Sequence, residues 1–196
     1  MKSDALVVFG REPRPGKVKT RLAKQIGAGP ACDLYKDLLN STIEVCLKVD
    51  ANRFLYLPEG DLLAVPDGSF SLRVQSGDDL GPRMDHAFCE CFENGYARVV
   101  LVGSDCPYLS PSILRDAFSA LDGCETVFGP AVDGGYYLVG QRAPARDLFS
   151  NIAFSCATVF RQTMSRLEEN GWSYSVLPIL EDIDDLASFE RYIKRS

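Results

Sequence analysis

The chain has 196 residues, of which 46% are hydrophobic and 24% are charged. These values are ordinary for a folded soluble domain, and they exclude an intrinsically disordered chain. The formal net charge is −6, which argues against a general nucleic-acid-binding protein because such domains are usually basic. We therefore expect a single domain over residues 1–196 with a large hydrophobic core.

The content of histidine and cysteine restricts the metal and redox chemistry. There is one histidine, His86, and there are seven cysteines. A lone histidine excludes multi-histidine metal sites, and an odd number of cysteines in a chain of this size indicates reduced thiols. The apolar run at residues 5–9 is too short for a signal peptide, and no run is long enough to span a membrane. We therefore expect a cytoplasmic protein.

Short apolar runs alternate with amphipathic segments along the chain. The runs predict strands at residues 5–9, 53–58, 70–75, 98–102, 126–128, 136–139 and 174–177. Apolar residues at helical spacing predict helices around residues 35–46, 82–92, 111–121, 158–169 and 186–193. This alternation predicts an α/β fold with a mostly parallel central sheet and helices on both faces.

The net charge conceals a basic beginning, because residues 1–24 carry +5 and the remainder carries −11. Much of this positive charge lies in a loop at residues 10–21, directly after the first predicted strand. The basic residues of the loop are Arg11, Arg14, Lys17, Lys19 and Arg21. Ligands of open α/β sheets bind at the carboxyl ends of strands, and Gly10 and Gly16 allow backbone N–H groups to approach a ligand. We expect the five cations to converge on a pyrophosphate or triphosphate; the alternative is a solvated basic loop.

A second polar segment begins with Ser104 and Asp105, just after the predicted strand at residues 98–102. A carboxylate at the carboxyl end of a central strand can hold a hard divalent cation against phosphate oxygens. The alternative is an aspartate that accepts hydrogen bonds from a loop or a helix terminus. Cys106 has no base beside it in the sequence, so we expect a small buried hydrophobic residue there.

A third segment is the turn Asp133-Gly134-Gly135, which precedes Tyr136 and separates two predicted strands. Its two glycines let the backbone come close to a substrate, although the same sequence is common in plain hairpins.

Two more segments carry carboxylates. The loop at residues 75–83 contains Gln75, Asp79 and Gly81 on the expected ligand side, and either Asp78 or Asp79 could cap the following helix. The acidic residues 181–185 could hold a metal ion or could favour the N-terminus of the last helix. His86 lies off the apolar stripe of its helix and is expected at the surface.

Taken in order, these segments resemble the nucleotide-diphospho-sugar transferase superfamily, whose fold is GT-A-like. The segments that carry the resemblance are residues 15–22, 79–84, 103–107, 129–130, 133–138 and 182–186. They are most similar to a family of small bacterial glycosyltransferase-like proteins. The Lys19–Leu22 element also resembles phospholactate and phosphoenolpyruvate guanylyltransferases and, more distantly, molybdenum-cofactor guanylyltransferases.

The resemblance implies roles for individual residues. The loop from Lys17 to Arg21 would bind nucleotide phosphates, with Lys17 also acting in catalysis. Asp105 would bind Mg²⁺ or Mn²⁺, and Asp133 with Gly134 and Gly135 would meet the second substrate or the metal. The single carboxylate in Ser104-Asp105-Cys106, where glycosyltransferases have two, implies a further metal ligand such as Asp133 or a residue of the 182–185 cluster, for example Asp184.

On the acceptor side, residues 154–156 read Phe-Ser-Cys where the bacterial family usually has Trp-Ser-Thr, and Ser155 is expected to bind substrate with Tyr136. The resemblance therefore implies a metal-dependent transferase with a nucleotide-activated donor, first of all a nucleoside-diphosphate sugar. The alternatives are transfer of a nucleotidyl group from an NTP to a small phosphorylated acceptor, and a catalytically silent nucleotide-binding module. The expected partners are the nucleotide and a small-molecule acceptor, without nucleic acid.

Overall fold

A computed structural model describes residues 4–66, 68–145, 147–154 and 156–195. The elements in these ranges are, in chain order, β1 Asp4–Phe9, α1 Thr20–Ile26, α2 Ala28–Leu47, β2 Asn52–Leu57, β3 Ser71–Val74, α3 Leu80–Glu93, β4 Arg98–Val102, α4 Pro111–Ala120, β5 Thr126–Pro130, β6 Tyr136–Gln141, α5 Val159–Asn170, β7 Tyr174–Val176 and α6 Leu186–Arg195. Each predicted strand is present, and the α/β class is confirmed.

The strands form one seven-stranded sheet in the order β3-β2-β1-β4-β6-β5-β7. β6 runs antiparallel to its neighbours β4 and β5, and the other pairs are parallel. The start of β6 therefore lies at the same edge of the sheet as the carboxyl ends of β1, β4 and β5. Loops that are far apart in the sequence meet at this edge, which is where open α/β sheets bind ligands.

Helices cover both faces because the side chains of the central strands alternate between two apolar clusters. In β1, Leu6 and Val8 belong to the cluster that contains residues of α2 and α4. Ala5 and Val7 point to the opposite cluster, which contains residues of α3 and α5. No helix in the described parts of the chain is long and apolar enough to cross a membrane.

Three helix starts differ from the sequence prediction. α2 begins at Ala28, well before the predicted start near residue 35. α1 begins at Thr20, inside the segment predicted to be a loop, and Leu22 anchors it in a small apolar cluster with Leu38 and Ile183. α3 begins at Leu80 and not at Pro82, because the Asp79 side chain accepts a hydrogen bond from the Leu80 N–H and caps the helix there. Of the two candidate caps, Asp79 is therefore the one in use.

Candidate functional site

A cleft of about 930 Å³ lies at the edge of the sheet where the carboxyl ends of the central strands meet. Its size is within the range of small-molecule binding sites. The loop after β1, the loops around β3, β4 and β6, and the segment before α6 all contribute to its lining. The predicted site residues that line it are Gly10, Arg11, Lys17, Lys19, Arg21, Gln75, Asp79, Ser104, Asp105, Asp133, Gly135, Tyr136 and Asp184.

The loop after β1 carries only part of its positive charge into the cleft. Val18 is buried and anchors the loop, while Lys17 is exposed beside it. Arg14 pairs with Glu12 and also donates a hydrogen bond to the Gly60 carbonyl oxygen, so it does not line the cleft. The prediction that all five cations converge is therefore wrong for Arg14, because a carboxylate two positions away holds it elsewhere.

Lys19 is the most buried cation of the loop, and its side chain is only 4% exposed. Its Nζ atom lies 2.9 Å from Asp105 Oδ1 and 3.0 Å from Asp184 Oδ1. Burial opposes the charge of the ammonium, but the two carboxylates outweigh burial and raise the pKa of Lys19 above its ordinary value. The predicted phosphate ligand is therefore an internal counter-ion in this structure.

The backbone of Lys19 is also unusual, with a φ of 47° in the left-handed region. This conformation is unfavourable for a residue with a Cβ, by roughly 1 kcal/mol or more. The strain falls on the residue directly before α1, whose side chain forms the two ion pairs.

The segment that leads into α6 brings two carboxylates to the cleft, because its middle side chain is buried in the core and the side chains on either side face the cleft. Ile183 is completely buried, and its N–H donates a hydrogen bond of 3.1 Å to the Asp105 carbonyl oxygen. Asp182 and Asp184, on either side of Ile183, both line the cleft. The Ser188 hydroxyl accepts a hydrogen bond from the Asp184 N–H, and Glu181 pairs with Arg191, so α6 holds this segment in place.

Asp182 belongs to the acidic cluster at residues 182–185 from which a further metal ligand was expected, and it has the most perturbed carboxyl group of the cleft. Burial, followed by the negative charges of Asp105 and Asp133, raises the pKa of Asp182 to about 7. Its Oδ1 atom is buried and has no hydrogen-bonding partner. The neighbouring Cys106 is buried as expected, and burial together with the charge of Asp182 raises the pKa of its thiol to about 12.

Tyr35 is a second residue that the sequence analysis did not assign to the site. It lies on the inner face of α2, where its helical spacing predicted only a core position. Its hydroxyl accepts a hydrogen bond of 2.9 Å from the Arg11 N–H and lies 3.1 Å from Ser104 Oγ. Tyr35 therefore joins the loop after β1 to the loop after β4, a use of the polar end of a tyrosine that the apolar pattern does not reveal.

The turn before β6 is shaped by its glycines. Asp133 Oδ1 accepts a hydrogen bond of 2.9 Å from the Gly135 N–H. Gly134 has a φ of +90°, and a Cβ at this position would lie 2.1 Å from the Ala157 carbonyl oxygen. The Gly134 carbonyl oxygen accepts a hydrogen bond from the Phe160 N–H. Gly134 therefore fixes the chain before α5 and does not itself line the cleft.

In the loop at residues 75–83, some residues line the cleft and others hold neighbouring segments in place. Gln75 donates hydrogen bonds to the carbonyl oxygens of Gly10 and Tyr56, so it holds the loop after β1 against β2. Gly81 does not line the cleft, because it packs where a Cβ would lie 2.7 Å from Phe154 Cε2. Gly16 also lies off the cleft, in an open turn with a φ of +75°. Ser155 lies outside the described residues.

Among the described residues, no group of three or more His, Cys, Asp or Glu side chains is arranged to hold a metal ion. The acidic residues of the cleft are nevertheless close enough to influence each other, because Asp105 and Asp133 both raise the pKa of Asp182. Mg²⁺ commonly binds to one or two carboxylates and takes its other ligands from substrate phosphates and water. The cleft therefore supplies the donors for such a site without forming a complete protein cage.

Comparisons with known proteins agree with this architecture. The family described as uncharacterized proteins conserved in bacteria (DUF2064) matches residues 42–156. A search of curated proteins found no match. A structure from Desulfovibrio desulfuricans G20, named as a candidate nucleotide-diphospho-sugar transferase, is 30% identical, with a TM-score of 0.90; the alignment covers 100% of this chain and 88% of that one.

More distant structures share the fold. Rv0371c from Mycobacterium tuberculosis H37Rv, solved as a complex with manganese, is 14% identical with a TM-score of 0.56, and the alignment covers 99% of this chain and all of that one. The nucleotidyl transferase Mth528 from Methanothermobacter thermautotroptrophicus is 12% identical with a TM-score of 0.63, and the alignment covers 98% of this chain and 97% of that one. The GT-A-like fold expected from the sequence is therefore confirmed.

Proposed function

The chain belongs to the DUF2064 family of bacterial proteins, and from this premise and the cleft described above we propose that it is a transferase whose donor is a nucleoside-diphosphate sugar. The observation that carries the proposal is the meeting of exposed cations and carboxylates in one cleft at the carboxyl ends of the strands. The relative from D. desulfuricans supports it, since that protein is named for the same activity and shares the fold over this whole chain.

In this proposal, the exposed cations bind the diphosphate of the donor. Lys17 and Arg11 are exposed beside the cleft, and Arg21 lies at its rim, 72% exposed and 3.5 Å from Asp184. Arginine and lysine side chains bind phosphate oxygens through charge-assisted hydrogen bonds. When an acceptor hydroxyl attacks the anomeric carbon, the bond to the diphosphate breaks and the nucleoside diphosphate leaves with the bonding electrons. These cations would stabilise the negative charge that develops on it.

The carboxylates fit a divalent cation. The buried, unpartnered Oδ1 of Asp182 is the kind of oxygen that Mg²⁺ or Mn²⁺ would satisfy, and the exposed carboxylate of Asp133 lies on the same cleft. We therefore propose Asp133 and Asp182 as metal ligands. We no longer expect Asp105 or Asp184 to bind the metal, because Lys19 pairs with both of them and Arg21 also pairs with Asp184. The bound ion would supply positive charge beside the phosphate oxygens.

A second candidate is nucleotidyl transfer from an NTP to a small phosphorylated acceptor. The observation that favours it is the single carboxylate of the loop after β4, where Cys106 is buried as a hydrophobic residue and does not supply a second acidic ligand. In this reaction an acceptor oxygen attacks the α-phosphorus and pyrophosphate leaves. The same cations would bind the leaving group, so the cleft serves either reaction.

The test is incubation of the protein with Mn²⁺ and UDP-, GDP- and ADP-sugars, and separately with the four NTPs and small phosphorylated acceptors. Release of a nucleoside diphosphate from a nucleotide sugar is the expected result. Release of pyrophosphate from an NTP would replace the glycosyl proposal with the nucleotidyl one. Nucleotide binding without turnover of any donor would leave only a nucleotide-binding module.

A further inference from the structure

The cleft contains more carboxylates than one divalent cation needs. Asp105, Asp133, Asp182 and Asp184 all line it. Since one or two carboxylates are enough to hold a Mg²⁺ or Mn²⁺ ion beside a phosphate, four could in principle serve two such ions. The position of Lys19 among these carboxylates decides how many ions the cleft can accept.

Lys19 occupies the space between two of the four carboxylates. Its Nζ atom lies about equally far from Asp105 Oδ1 and Asp184 Oδ1, at 2.9 and 3.0 Å. The contact with Asp184 is a charge-assisted hydrogen bond, and the contact with Asp105 is an ion pair of similar length. The side chain is only 4% exposed, so little of the ammonium is available to a phosphate group while these pairs are intact.

The remaining pair of carboxylates has no such cation. Asp182 Oδ1 is buried without a hydrogen-bonding partner. The carboxylate of Asp133 is exposed, and its only hydrogen bond within the described residues comes from the Gly135 N–H of its own turn. The two halves of the acidic cluster therefore differ, because one is neutralised from within the protein and the other is open to a cation from solution.

From this difference we propose that Lys19 is a built-in counter-ion that takes the place of a second divalent cation, so that the cleft binds a single divalent cation at Asp133 and Asp182. The inference rests on the proposed function and deepens it, because it assigns the metal stoichiometry of the same site. It also removes Lys19 from the phosphate ligands and leaves that role to Lys17, Arg11 and Arg21.

The test counts Mn²⁺ ions by electron paramagnetic resonance of the free ion and by calorimetry, with the metal alone. We expect one bound Mn²⁺ per chain for the parent protein and two for Lys19→Met, which keeps the length of the side chain but leaves Asp105 without a counter-ion and Asp184 with only the longer contact to Arg21. The matched control is Lys17→Met, which removes an exposed charge from the same loop and is expected to keep one ion. A single ion in Lys19→Met, or two in the parent, would overturn the inference.

A second set of variants locates the additional ion and protects the test against misfolding. The double variant Lys19→Met/Asp184→Asn should return to one ion, since the new site needs Asp184. Asp184→Asn alone should keep one ion with the parent's affinity, and loss of that ion would contradict the inference even if Lys19→Met does not fold. A parent protein that binds no Mn²⁺ would instead count against the metal dependence in the proposed function.

Discussion

The two walls of the cleft are held in place by different forces. The ionic wall, formed by residues 10–21 and 182–184, is joined by the Lys19 ammonium between Asp105 and Asp184. The packed wall, formed by residues 75–83 with Gly134, Phe154 and Ala157, is joined by contacts that leave no space for a Cβ at Gly81 or Gly134. Charge can therefore be changed at one wall with little change of shape, and shape can be changed at the other with no change of charge.

The largest effect is expected from changing the shape of the packed wall with Gly134→Ala. The new Cβ would lie 2.1 Å from the Ala157 carbonyl oxygen, and the backbone has a φ of +90°. Left-handed strain costs roughly 1–2 kcal/mol and overpacking roughly 1–3 kcal/mol, so we expect the free energy of unfolding to fall by about 2–5 kcal/mol in total. Urea denaturation followed by circular dichroism measures this change.

The matched control for this change is Gly171→Ala. Gly171 also has a positive φ, +67°, but no atom lies within 4 Å of the Cβ position. In Gly171→Ala the free energy of unfolding should fall only by the cost of left-handed strain, about 1–2 kcal/mol. Equal losses in the two variants would mean that the contact with Ala157 does not hold the packed wall.

Most of the fold could be predicted from sequence because its signals are local, whereas the packing of Gly81 against Phe154 and of Gly134 against Ala157 could not. Apolar runs such as Val99–Val102 predicted the buried strands, and the turn chemistry of residues 133–135 marked the start of β6. The exact start of α3 could not be predicted, because Asp78 and Asp79 are equally good caps in sequence and only the fold selects Asp79.

The ionic wall was harder to predict because its contacts are not local. Lys17 and Lys19 are both lysines of one basic loop, yet Lys17 is exposed and Lys19 pairs with a carboxylate 165 positions away. Nothing in the acidic run shows which of its carboxylates face the cleft. The burial of Ile183 turns Asp182 and Asp184, on either side of it, toward the cleft. Neither distinction has a signal in composition or spacing.

Removing an exposed charge from the ionic wall should have an intermediate effect. Lys17→Ala is expected to weaken binding of UDP-glucose or GDP-mannose in the presence of Mn²⁺ by about tenfold, because one charge-assisted contact to phosphate is lost. Stability should not change, since Lys17 is exposed. The affinity is measured by calorimetry at low and high salt, and the difference should shrink as salt screens the charge.

Lys24→Ala is the control for Lys17→Ala, because Lys24 is also exposed and basic but does not line the cleft. If both variants bind as the parent does, the loop after β1 is a solvated surface and the ionic wall contributes no phosphate ligand. If both weaken binding equally, the effect belongs to the overall charge of the basic beginning of the chain and not to the position of Lys17.

The smallest effect on the protein itself is expected from labelling the thiol of Cys156, which lines the cleft beside the packed wall. Hydrogen bonds with Thr158 lower the pKa of this exposed thiol, whereas burial raises the pKa of Cys106 to about 12. Because the thiolate is the reactive form, iodoacetamide should modify Cys156 at a lower pH than an ordinary thiol and well before Cys106. Mass spectrometry of the digested protein follows each site.

A bound nucleotide sugar should slow the labelling of Cys156 and leave the exposed Cys89, which lies outside the cleft, unaffected. This protection would place the ligand against the packed wall as well as the ionic one, since Cys156 lines the cleft beside Ala157. If protection is absent while Lys17→Ala still weakens binding, the nucleotide contacts only the ionic wall, and the packed wall is left for the acceptor. Loss of both effects would remove the cleft as the binding site.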